Sequence, residues 1–72
     1  MSKHTRAMPR FKIKARVEIS SEMHSKVSGR FGRVVEIRTS QHAQNLDKYL
    51  VLLDDSDEEH LVWDIELKPR QL

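Results

Sequence analysis

Residues 29–37 read Gly-Arg-Phe-Gly-Arg-Val-Val-Glu-Ile, two glycines three positions apart that run directly into a β-branched segment. Glycine tolerates φ > 0 and a close approach of neighbouring backbone, so such a pair lets a chain turn tightly and enter a strand with no Cβ in the way. Upstream, Phe11, Ile13, Ala15, Val17 and Ile19 alternate with Lys12, Lys14, Arg16 and Glu18. A helix would scatter these apolar side chains around its circumference, whereas a strand gathers them on one face. An alternating segment followed by a loop-to-strand junction predicts a small, curled, antiparallel β domain.

The chain has 72 residues and no cysteine. That is room for one domain, held by its core without disulfide or thiolate-metal staples. An isolated hairpin is marginal in water, so further strands or closure into a barrel are required. The sequence supplies them. A second strand is predicted from about Phe31 to Arg38, and Tyr49-Leu50-Val51-Leu52-Leu53 is apolar enough to be a central strand. Asp54 to Glu59 reads as a hairpin loop and His60 to Trp63 as a short strand. Asp64 to Leu67 reads as a helical turn, and Lys68 to Gln71 as a last strand. Ser20 to Arg30 is a long polar loop or helical turn, and Thr39 to Asp47 a polar connection. The expected architecture is all-β: a barrel of about five antiparallel strands over residues 11–72, after a disordered basic tail at residues 1–10. Met1 to Arg10 has no apolar signal-peptide core, and no stretch approaches the ~20 apolar residues of a membrane span. A cytoplasmic protein without membrane contact is expected, and the lack of cysteine fits a reducing compartment.

A net charge of +2 conceals a division of sign. Residues 1–38 hold ten Lys or Arg against three Glu, and residues 39–72 hold three against eight acids. Lys12, Lys14 and Arg16 share one face of the first predicted strand, and Arg30, Arg33 and Arg38 flank the second. Paired strands would gather them into a cationic face fit for an acidic protein surface or for phosphates, whose neutralisation releases counterions. Phe31 lies among them and could stack a base if exposed. The competing reading is an ordinary solvated strand face with Phe31 in the core. Opposed charges could also drive a weak homodimer in place of a monomer.

The remaining side chains carry little chemistry. Asp54, Asp55, Asp57, Glu58 and Glu59 are too densely spaced for a calcium loop and lack its glycine, so they read as a solvated loop that discourages edge-to-edge pairing. His4, His24, His42 and His60 have no zinc-ligand spacing. No nucleophile-elbow pattern surrounds any serine. No catalytic residue, cofactor or metal ligand is predicted. Trp63, beside Leu61, Val62 and Ile65, is expected in the core.

Taken in order, the basic alternating strand, Gly29-x-x-Gly32-x-Val34-x-x-Ile37, the Tyr49-x-Val51 strand, the acidic turn, His60-Leu61-Val62-Trp63 and Glu66-Leu67 form a wider pattern. It resembles SH3-like barrels, including KOW-motif modules and the small accessory chains of electron-transfer complexes of the ferredoxin-thioredoxin reductase variable-chain type. Gly32, Val34 and Ile37 occupy the positions of the KOW glycine and the core residues that follow it. The resemblance implies an SH3-like fold and no chemistry of its own. It further implies docking on a larger protein or complex, with RNA or DNA as the alternative partner.

Overall fold

A computed structural model describes residues 8–20 and 26–70. Among the described residues there are five strands, β1 (Arg16–Ile19), β2 (Phe31–Arg38), β3 (Lys48–Leu53), β4 (Glu59–Trp63) and β5 (Leu67–Pro69). Two single 3-10 turns accompany them, η1 (Gln44–Leu46) and η2 (Asp64–Glu66). All neighbours are antiparallel, in the order β4-β3-β2-β1-β5. Val17, Ile19, Val34, Tyr49, Val51, Leu53, Val62 and Leu67 point inward and form the core, joined by Phe11 and Val27.

The expected five antiparallel strands are there, but the sheet is open. Its edges are β4 and β5, and no pairing joins them among the described residues. It is nevertheless strongly curled, for a topological reason. In a flat sheet the two edges would lie about 19 Å apart, four spacings of about 4.8 Å. Only η2 links them, and a 3-10 turn advances about 8 Å between Trp63 and Leu67 at about 2 Å per residue. Curling brings the edges within reach of so short a link.

The nine-residue alternation does not form one strand: only Arg16–Ile19 pairs. Lys14 takes φ 77°, the left-handed region, and the Ala15 amide donates to the Lys12 carbonyl at 3.0 Å, so residues 12–15 reverse direction. Ile13 is half exposed in consequence. Phe11 still reaches the core and meets Tyr49 edge-on, with ring centroids 5.4 Å apart at 83°. Residues 1–7 of the expected tail lie outside the described residues. Arg10 is held against the domain by hydrogen bonds to Asp64 and to the Leu67 carbonyl.

In β2 the inward residues Val34 and Ile37 are three apart, out of phase with a period of two. A bulge at Val35 reconciles them, since Val34 pairs with Val51 and Glu36 with Leu50. The centre of the sheet is β2, with β3 one place over. The apolar excess of β3 reaches the outer face, where Leu50 and Leu52 are half-buried.

The two glycines act differently. Gly29 has φ 86° and turns the chain into β2 with open space where a side chain would stand, whereas Gly32 sits tight against β3. Gly29→Ala therefore has a purely conformational effect, a loss of about 1 kcal/mol. A urea titration should show that fall in midpoint, with Gly29→Asn losing less because Asn tolerates the left-handed region better.

Candidate nucleic-acid or protein interface

The register of β2, β1 and β5 sets one row of the outer face. Arg16 on β1 is directly opposite Arg33 on β2. On the other side, Val17 pairs with Pro69, and the Arg70 amide donates to the Arg16 carbonyl at 3.1 Å, so Arg70 is opposite Arg16. Arg70, Arg16 and Arg33 thus stand side by side at strand spacings of about 4.8 Å. In the next row, Lys68, Glu18 and Phe31 are aligned. Phe31 is 38% exposed, which decides against a core position, and the Arg70 guanidinium lies over its ring at 4.5 Å. Glu18, Phe31, Lys68, Pro69 and Arg70 line an open groove of about 600 Å³.

Of the seven cationic or aromatic positions expected to converge, Arg16, Phe31 and Arg33 do. Arg30 lies outside the row, just before β2 and opposite Ile19, and is bonded to Asp55 at 2.5 Å. Lys12 and Lys14 lie in the turn before β1, where Lys12 lines a separate apolar groove of about 440 Å³ with Met8, Pro9, Phe11, Ile13 and Ile37. Arg38 is at the far end of β2, five residues and about 15 Å from Arg33, bonded to Glu36 at 2.8 Å. Lys68 and Arg70 were not legible as members, because nothing in residues 67–70 says that their strand returns to the far side of β1. The signal available was the alternation of Lys68 and Arg70 in a terminal strand.

The acidic loop contributes to the same site. Asp54 Oδ2 is 3.1 Å from Arg70 and 3.8 Å from Arg16. The hydrogen bond from Arg30 holds the Asp55 carboxyl below its ordinary range and raises the guanidinium. Because the folded value is depressed, this pairing contributes above the ordinary carboxylate range and fades as pH falls through it. In an NMR pH titration Asp55 should have a midpoint below that of a free aspartate, and Arg30→Ala should return it to the ordinary value. Loop and row thus meet in space, although their charges are segregated along the chain.

Comparison with protein-family models, curated proteins and solved structures gave no match. Trp63, expected in the core, is half-buried on the outer face beneath the Lys48 ammonium, 4.6 Å from its ring. His60 is hydrogen-bonded to Glu58 at 3.3 Å. Among the described residues no group of three or more His, Asp or Glu could hold a metal ion, and no helix is long and apolar enough to cross a membrane. What the arrangement offers chemically is anion recognition: forked guanidinium donors beside an exposed aromatic ring.

Proposed function

We propose that this chain is a non-enzymatic docking module of SH3-like architecture. Through the outer face of β5, β1 and β2 it attaches to an acidic surface of a larger cytoplasmic protein or complex. The observation that carries this reading is the row Arg70, Arg16, Arg33. Like charges directly opposite one another oppose sheet formation, so three in a row serve something other than stability. Asp54, bonded to Arg70 and near Arg16, already occupies the position of a partner's carboxylate. Strand order and the 3-10 link between β4 and β5 support the SH3-like reading.

A KOW-like nucleic-acid module is the second reading, supported by the same arginines, since phosphates suit guanidinium forks as well as carboxylates do. Against it, Arg70 already covers one face of Phe31, the ring a base would stack on. Titrating the protein with a polyglutamate peptide, an RNA and a DNA duplex at two ionic strengths separates the readings. The first expects the acidic peptide to bind and Arg16→Glu to abolish binding. It also expects Asp54→Asn to strengthen binding roughly three- to tenfold by removing the internal competitor. Preferential duplex binding, with a salt slope near −0.9 per phosphate contact, would favour the second.

A further inference from the structure

The outer face of β2, β3 and β4 has an apolar middle, with Arg33 and the Glu36–Arg38 ion pair on the β2 side and Glu59 on the β4 side. Leu50 and Leu52 of β3 and the 37% exposed Leu61 of β4 form the middle. In one register row Arg33 pairs with Leu52 and Leu52 with Glu59, so a cation and an anion flank a leucine. Two strand spacings, about 10 Å, keep Arg33 and Glu59 from bonding within the molecule. Among the described residues neither takes part in an ion pair.

A twofold axis along β3 carries β2 of one molecule onto β4 of another. We infer that this face is the contact of a symmetric dimer, in which Arg33 of each copy meets Glu59 of the other around a shared leucine centre. The Arg33–Leu52–Glu59 row is self-complementary, as a twofold interface requires, because one operation pairs each Arg33 with a Glu59 and stacks leucine on leucine, while Lys48 at the end of β3 is drawn aside over Trp63. Two twisted sheets can lie face to face in this way at about −30°. A face of about three strands and five residues offers only roughly 250 Å² of flat area per copy, which puts the contact in the small, transient class. So small a contact forms only weakly, and association shows at high protein concentration. Arg16, Arg70 and Phe31 lie outside the contact, whereas Arg33 belongs to both faces, so dimer formation and docking compete for it.

The test is analytical ultracentrifugation of the full chain at low salt, from about 10 μM to about 1 mM, the range expected for so small an interface. Wild-type protein should associate with concentration. Arg33→Glu and Glu59→Arg should each weaken association about tenfold or more by setting like charges together. The double exchange should restore it to within about threefold, because the pairs re-form with reversed polarity. Leu61→Gln should weaken it without any change of charge. All three substituted positions are exposed, and circular dichroism checks that each variant is folded. A monomer throughout the range would overturn the proposal. So would a dimer indifferent to either single reversal, or a double exchange that stays as weak as the singles.

Discussion

Gly32→Ala is expected to lower stability by about 3 kcal/mol or more, the upper end of overpacking costs. A Cβ built at Gly32 falls on the Leu52 carbonyl oxygen, 2.7 Å from Val51 Cγ1 and 3.0 Å from the Leu52 carbonyl carbon. A side-chain terminus could rotate away, but the first and last of these atoms are backbone of β3. That strand is clamped between β2 and β4, so it yields only by separating from one of them. A chain of 72 residues has a total stability of roughly 4–10 kcal/mol, so the substitution removes a large share of it. Guanidinium or urea unfolding of Gly32→Ala beside Gly29→Ala makes the comparison, since the second adds a methyl into open space. Equal midpoints for the two variants would mean that β2 and β3 do not approach this closely.

The contrast between the glycines shows what the sequence could convey. Their spacing announced a tight turn into a strand, and β2 begins at Phe31 and ends at Arg38 as the pattern indicated. Which glycine needed φ > 0 and which needed an absent side chain depends on β3, a strand some 20 residues downstream. Hydrophobic alternation located Val17 and Ile19 on the inner face. It could not foresee that Lys14 would adopt φ 77° and break the alternating segment into a turn and a four-residue strand. The candidate site was legible to the same degree. Arg16, Phe31 and Arg33 follow from pairing two adjacent strands, a local inference. Arg70 enters the row because β5 pairs with β1 across 50 residues of sequence, and Asp54 because the β3–β4 loop folds over that end. Non-local pairing is set by how the whole sheet curls, which no single segment encodes.

Arg10 holds that curl at its other end, so Arg10→Ala is expected to cost about 2–3 kcal/mol. Its Nε donates to Asp64 Oδ1 at 2.9 Å, and its Nη2 donates to the carbonyls of Asp64 at 2.7 Å and Leu67 at 2.9 Å. The guanidinium also lies over the Phe11 ring at 4.6 Å. Asp64 is 4% exposed, and it begins the turn that carries the chain between the two sheet edges. Truncating Arg10 removes the ion-pair partner of a buried carboxylate and the donor to two carbonyls of that link. The loss stays below the full cost of breaking a buried pair because Arg10 itself is 37% exposed, so water can reach the space it leaves. For a domain of this size the loss corresponds to a fall in Tm of roughly 10–20 °C. Arg10→Lys should recover less than half of it, since an ammonium keeps the charge but cannot span three acceptors with a planar fork. A double-mutant cycle with Asp64→Asn isolates the contact and should give a coupling of about 1 kcal/mol or more. If Arg10→Ala instead melts within about 3 °C of wild type, too little for a lost buried pair, η2 is held by the core alone and the Arg10 contacts are dispensable.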